Sequence, residues 1–411
     1  MSRLSAIAVD VALLRRRREL RLLLLGHTGS LLGSRVAFVA VPVQMYDLTG
    51  STVAVGLLGL AEFVPIVGLA LLGGALADAF DRRRLMQLAE LGAMLVAAGL
   101  VVNALSGDPQ VWVLYLAGAL LAGFTALLRP PYDALVPRLV ERHELKAAAA
   151  LNTMMRHLAA TLGPALGGLL IAGPGYAVAY GVDVASFAFS LATLAAVRTP
   201  PPPEGRTLGL RSIGEGLRYA RSRQELLGTY LVDFNAMLFG FPIALFPAFA
   251  EEHGGGAIVG LFYAAPSAGT VLAMLTSGWA AHVHRHGRAV VLAAAGWGLA
   301  IVGFGLADAL WLALLALVVA GGLDGVSGIF RSVIWNETIP DRLRGRLAGV
   351  EMISYSSGPL LGNAEAGLAA AVAGLRTSVV AGGVVTVVGS FALAAALPRL
   401  WRYDARAVSV R

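Results

Sequence analysis

Ionisable residues interrupt the long apolar runs of this chain, among them Arg35, Glu62, Arg156, Asp183, Asp233, Asp324, Arg331, Glu351 and Glu365. A charge inside a membrane-sized apolar run costs several kcal/mol unless it is paired or wet, so each is a candidate for binding an ion or moving a proton. Other chemistries are excluded or unsupported. The chain has no cysteine, which removes disulfides, thiolate metal sites and thiol nucleophiles. Its seven histidines form no HExxH pairing, and no GxxxxGK[ST] loop is present for nucleotide. No enzyme activity, metal or cofactor is expected.

Arg35 lies eight residues before the end of the first run and Glu62 nine residues after the start of the second. Both therefore sit about 12 to 14 Å below the same surface, at depths that suit an ion pair or a proton switch. Asp233 and Glu365 are the next candidates for carrying the proton. Arg156, near the middle of its run, can attract an anionic substrate. The competing reading for each charge is an interhelical pair that only fixes packing. That reading is favoured for Asp324 and Glu351, near Arg331, Arg344 and Arg346. Tyr263, Trp279, Trp297, Tyr355 and Asn363 are candidate cavity-lining groups.

The elements that must position these groups follow from composition. The 411 residues are 57% apolar and 14% charged, with mean hydropathy +0.74, which calls for a bilayer rather than water as the solvent. At about 20 residues per crossing, spans are expected at 22–43, 53–76, 85–105, 111–128, 147–172, 177–197, 226–249, 257–281, 289–306, 310–330, 347–373 and 377–397. The first run is of full bilayer length with no small-residue cleavage site after it, so a cleaved signal peptide is not expected.

Of the 32 Lys and Arg residues, 28 fall in alternate inter-span segments, and the opposite loops hold only Arg376. Short basic loops stay cytoplasmic, so both termini are expected in the cytoplasm. The same confinement explains the net charge of +7 without a nucleic-acid partner. Segment 198–225 opens with four prolines and continues among arginines, which suits an extended linker followed by a surface helix. An internal repeat supports two halves. Gly74, Ala77 and Arg84 recur at an offset of 204 as Gly278, Ala281 and Arg288, and GPALGG at 163–168 recurs as GPLLGN at 358–363. The domains are thus an N-terminal segment 1–21, a six-helix bundle 22–197, a linker 198–225, a second bundle 226–397 and a tail 398–411.

The string GGALADAFDRRR at 73–84 resembles the signature between spans 2 and 3 of the major facilitator superfamily, with Gly74, Leu76, Ala77, Asp78, Arg82 and Arg83 at matching positions. Ala79 and Asp81 depart from the pattern. The resemblance implies an all-α integral membrane protein of twelve transmembrane helices in two pseudo-symmetric six-helix bundles. It also implies that this loop is a conformational latch, with Gly74 allowing close approach and Asp78 facing a helix N-terminus near Arg346. Arg82 to Arg84 are expected to anchor the loop to lipid phosphates. Spans 3, 6, 9 and 12 are peripheral in that superfamily, so Asp183 reads as structural.

GPALGG resembles the fifth-span signature of proton-coupled exporters in the superfamily. Pro164 can kink the helix, while Gly163, Gly167 and Gly168 allow a close crossing. VAVPVQ at 39–44, GLFYAAP at 260–266 and LTSG at 275–278 are similar to the enterobactin exporter branch, which shades into multidrug exporters. The implied function is proton-coupled export of a siderophore, antibiotic or similar small molecule by alternating access, in a bacterial cytoplasmic (inner) membrane, as a monomer. The partners are a small-molecule substrate and lipid, and the proton gradient supplies the energy. A small-nutrient importer and a non-transporting receptor or scaffold remain open on the same fold.

Overall fold

The computed structural model describes residues 12–79, 81–198 and 218–408; the side chains of 70–79, 341–346, 348–355 and 407–408 lie outside the described residues. Among those described the chain is helical throughout, with no strand. The long helices are α1 (Arg18–Thr49), α2 (Thr52–Ala79), α3 (Arg82–Leu105), α4 (Val111–Leu135), α5 (Leu145–Ala172) and α6 (Tyr176–Ala196). They continue as α7 (Gln224–Phe239), α8 (Ile258–Leu275), α9 (His286–Leu306), α10 (Leu310–Thr338), α11 (Asp341–Ala373) and α12 (Leu375–Ala396). Ten of these, counting α7 with its continuation to Glu252, are long and apolar enough to cross a membrane. α5 and α11, of 28 and 33 residues, complete the expected twelve. α5 carries Asn152, Arg156 and His157, and α11 is the more polar of the two, opening on DRLRGR.

Local chemistry explains the breaks. Pro242 cannot donate to a helix and restricts the residue before it, so α7 stops at Phe239 and resumes through a 3-10 turn at Ile243–Leu245. The Gly240 carbonyl exposed by that break accepts from Trp297 Nε1 at 2.8 Å. α6 and α12 each start after a glycine in the left-handed region, Gly175 at φ 92° and Gly374 at φ 89°. The internal repeat thus reaches the backbone.

Contacts divide the chain into two compact units, one of Met1–Ala40 with Leu72–Thr207, the other of Val41–Leu71 with Leu208–Arg411. The bundle limits expected from sequence, 22–197 and 226–397, differ from this division because 41–71 sorts with the second unit. The reason is glycine packing of α2 on α11. A Cβ on Gly56 would lie 2.6 Å from the Asn363 carbonyl oxygen, one on Gly367 would overlap the Thr52 carbonyl, and Thr52 Oγ1 donates to Gly367 O at 3.1 Å.

Within the first unit, Gly26, Gly29 and Gly33 of α1 press on α6, where added Cβ atoms would strike Thr193, Phe189 and Ser186. Leu20, Leu24, Met86, Tyr132, Leu151 and Leu194 fill one end of that core. In the second unit Phe246, Phe249, Phe262, Tyr263 and Phe304 form an aromatic cluster with centroids 4.7 to 6.0 Å apart. The expected tail at 398–411 does not stand apart over its described part. Leu400 is fully buried, seated where Gly228 and Gly287 leave no room for a Cβ, and Tyr403 Oη donates to Glu337 at 2.7 Å.

Candidate transport site

The second unit concentrates charge between α7 and α10. Trp335 Nε1 donates to Thr229 Oγ1 at 2.8 Å, which sets the antiparallel register of the two helices. One turn further along both, Arg331 Nη1 meets Asp233 Oδ1, and Arg331 Nη2 donates to Asp324 Oδ1 at 3.1 Å. Asp324 is seven residues before Arg331 and so lies on the same face of α10. Asp233 and Arg331 are buried, whereas the Asp324 side chain is 36% exposed. A narrow crevice beside them is lined by Asp233, Met237, Trp297, Asp324 and Ser327. Met237 also receives the repeated motif of α11, since a Cβ on Gly358 would lie 2.7 Å from its Cβ and one on Gly362 2.5 Å from its carbonyl oxygen. One arginine therefore holds two membrane-embedded carboxylates, and loss of the cation would leave both uncompensated, a change worth about 3 to 5 kcal/mol.

Pairing of Asp324 with Arg331 is the sequence expectation; the partner of Asp233, 98 residues away, is visible only in the fold. Glu351, Arg344, Arg346 and Tyr355 fall outside the described side chains.

The first unit is arranged differently. Asn152, Arg156, Ala159, Gly163 and Gly167 follow one face of α5 at steps of three and four. That face meets α1. A Cβ on Gly163 would run into Arg35 Cβ, and one on Gly167 would lie 3.2 Å from the Val36 carbonyl oxygen. The exporter-type motif thus brings the backbone of α5 onto the turn of α1 that carries Arg35. Pro164 and Gly168 are buried in the same turn. Arg35 rests over the Phe38 ring at 5.5 Å. The charge of Arg156 acts on both Arg35 and His27. His27 packs on Tyr132 with centroids 3.8 Å apart, and Tyr132 Oη donates to Asn152 Oδ1 at 2.8 Å. Among the described residues of this unit neither Arg35 nor Arg156 has a carboxylate partner. Arg156 is exposed, so its guanidinium is available to an anion.

Glu62 and Glu365 belong to the second unit, and neither has a cation partner among its described residues. Glu62 lies close enough to Tyr263 for its charge to act there. The expected pair of Arg35 with Glu62 joins residues of different units. Trp279 lines a groove between α8 and α10 with Leu272 and Val319. Asn363 keeps a buried Oδ1 without a partner where Gly56 and Gly59 meet α11.

Of the loop signature, Gly74 and Asp78 lie outside the described side chains. Arg82 and Arg83 are described, and each reaches a backbone carbonyl. Arg82 Nη1 donates to Ala134 O at 3.5 Å and Arg83 Nη2 donates to Ala195 O, so both guanidinia serve the carbonyl ends of α4 and α6. Asp81, off the family pattern, caps α3 by accepting from Arg84 N at 2.9 Å. Two functional candidates escape the sequence reading. His27 had no signal beyond its place in an apolar run. Glu90 had one, as an acid five residues into the third run, and the rule that flags Glu62 flags it too.

The comparisons with known proteins agree with this geometry. The model of the transmembrane secretion effector family, of major facilitator type, matches residues 12–409. The enterobactin exporter EntS of Citrobacter koseri is 31% identical over 385 residues, covering 93% of this chain and 92% of that protein. The enterobactin exporter EntS of Escherichia coli O81 is 32% identical over 362 residues, 87% of each. Among solved structures, a bacterial homologue of the lysosomal transporter Spinster in an inward-facing conformation aligns with TM-score 0.75 at 16% identity, covering 94% of this chain and 97% of that one. A POT family transporter aligns with TM-score 0.74 at 13% identity over 93% and 97%. These two likenesses speak for the fold. A twelve-helix chain with a charged centre in each unit, matched end to end by this family's model, is a multi-pass membrane transporter acting on a small molecule, and it belongs to the transmembrane secretion effector family of the major facilitator superfamily.

Proposed function

We propose that this chain is a proton-driven exporter of a small anionic molecule of the siderophore kind, working as a monomer in a bacterial inner membrane with both termini cytoplasmic and no enzymatic step. The observation that carries it is Arg331 held between Asp233 and Asp324 beside the crevice of the second unit. A proton that neutralises Asp233 releases the arm of the guanidinium that ties α10 to α7, while Asp324 holds the other arm on α10 itself, coupling protonation to helix position. The proton gradient is the energy source, and no cofactor is needed.

Substrate class draws support from the uncompensated Arg35 and Arg156, next to the aromatic pair His27 and Tyr132, and from the enterobactin exporters among the relatives. Glu62 and Glu365 are further proton carriers in this reading. Asp78, with Gly74, is the latch whose replacement by Asn slows transport without unfolding the protein.

Everted membrane vesicles energised with a proton gradient test the reading. Enterobactin accumulates inside them with the wild-type chain, and accumulation stops on adding a protonophore. Equal uptake with the gradient collapsed overturns proton coupling; absence of uptake, in vesicles that retain the folded protein, overturns the substrate assignment.

A further inference from the structure

Two acids of the first unit have no part in the scheme above. Glu90 on α3 is 2% exposed and Asp183 on α6 is fully buried. Glu90 Oε1 accepts from Ser190 Oγ at 2.7 Å and from Ser30 Oγ at 3.4 Å. Asp183 Oδ1 accepts from Ser34 Oγ at 3.3 Å and lies 3.4 Å from Ser186 Oγ, whose hydroxyl also donates to the Asp183 carbonyl at 2.7 Å. The other oxygen of each carboxyl, Glu90 Oε2 and Asp183 Oδ2, is buried without a hydrogen-bond partner. Glycines assemble this seam. Gly33 lets α1 approach Ser186 and Asp183, Gly26 admits Thr193, and Phe124 of α4 closes over Gly92 of α3.

The surrounding titratable groups do not compensate these acids. α1 contributes His27, whose carbonyl accepts from Ser30 at 3.3 Å, and Arg35, which is drawn to α5 at Gly163. α5 contributes Arg156 and His157, α4 Tyr132 and α6 Tyr180. His27, Arg35, Arg156, His157 and Tyr132 are in no ion pair or hydrogen bond with either carboxyl, and no cation among the described residues stands within 4.0 Å. A bare carboxylate with hydroxyl donors on one oxygen only is expensive in this setting. Serine hydroxyls both donate and accept, so the same four side chains can serve the carboxyl with or without a bound proton, as an arginine cannot. Ser186 and Ser190 are one turn apart on α6, which stacks the two carboxyls along one seam.

We propose that the α1, α3 and α6 seam is a second proton-binding site, in which Glu90 and Asp183 each take up and release a proton independently of the Asp233, Asp324 and Arg331 centre. It extends the proton-coupled reading of the second unit and is tested without transport. The full-length protein in lipid nanodiscs is taken through reversible pH steps, in H2O and D2O, while the carbonyl stretch of protonated carboxyls is followed by infrared difference spectroscopy. The expected result is two deuterium-sensitive bands that come and go with pH. Glu90→Gln removes one, Asp183→Asn the other, and Asp233→Asn leaves both. Ser190→Ala, which keeps the acid, shifts the Glu90 band and serves if Glu90→Gln does not fold. Bands that are absent, or that stay constant as pH changes, overturn the proposal and leave two static packing groups. A result in which these two titrate while Asp233→Asn changes no other band strikes the coupling centre alone.

Discussion

The two units treat buried charge in opposite ways. In the second, Arg331 lies between Asp233 and Asp324, so every member of the group has a partner, one across to α7 and one along α10. In the first, the cations Arg35 and Arg156 gather between α1 and α5, and the acids Glu90 and Asp183 are tied to serines between α1, α3 and α6. The same helix motif positions both arrangements, with Gly163 and Gly167 pressing α5 on α1 and Gly358 and Gly362 pressing α11 on α7. The lesson is that a repeated scaffold sets where helices touch, while side chains at the touching turns decide whether the charge is closed on itself or left open to a ligand.

The largest effect is expected from breaking the closed group. Arg331→Met should destabilise the protein by about 3 to 5 kcal/mol, since two acids lose their cation, and should abolish transport. Adding Asp233→Asn to it should recover part of that loss, because one uncompensated charge is removed. Thermal unfolding of the purified variants, followed by vesicle uptake, checks both. If the single and double variants melt together, Arg331 and Asp233 are not energetically coupled.

The shared scaffold is broken next. Gly163→Val should cost about 1 to 3 kcal/mol, because its side chain must enter the space of Arg35 Cβ, and Gly362→Val a similar amount against the Met237 and Leu238 carbonyls. Equal losses would support equivalent roles in the two units; a neutral Gly362→Val would separate them.

A smaller and cleaner effect is expected from the open group. Arg156 is exposed and unpaired among the described residues of its unit, so Arg156→Gln should leave the melting temperature nearly unchanged. It should weaken an anionic substrate roughly tenfold, about 1.4 kcal/mol, read as an increase in KM at constant amount of protein. An unchanged KM would remove Arg156 from the binding surface.

The smallest effect lies outside the membrane. Glu144, at the turn before α5, accepts from Glu141 N at 3.1 Å and pairs with Arg17 at 2.9 Å. The backbone donor at Glu141, followed by Arg17, holds its carboxyl below the usual range, against the opposing effect of burial. A depressed folded-state value means stability that is present above the unfolded carboxylate range and lost as pH falls through the folded one. The melting temperature of Glu144→Gln should therefore approach that of the wild type as pH is lowered, with the gap open at neutral pH. A gap that is independent of pH would show that the ion pair and cap contribute nothing.

Much of this molecule is written along the chain. The length of each apolar run, the alternation of basic loops and the recurrence of GPALGG as GPLLGN are properties of neighbouring residues, and the twelve helices follow from them. Asp324 and Arg331 were also legible, because seven residues make two turns of one helix. Glu90 was legible in kind, as an acid in a span. Its serine partners lie 60 and 100 residues away, on two other helices.

Tertiary structure alone decided which charges meet. Helix rotation and approach are set at a few close contacts, Gly26 and Gly33 against α6, Gly163 against Arg35, Gly362 against Met237, and each contact selects which side chains face each other. The same cause sets Arg82 and Arg83 against the carbonyl ends of α4 and α6, and Gly56 against Gly367 where α2 meets α11. Apolar length and loop charge act one residue at a time and survive in a linear reading. Ion pairing depends on the relative rotation of helices far apart in sequence, which exists only once the glycines have packed.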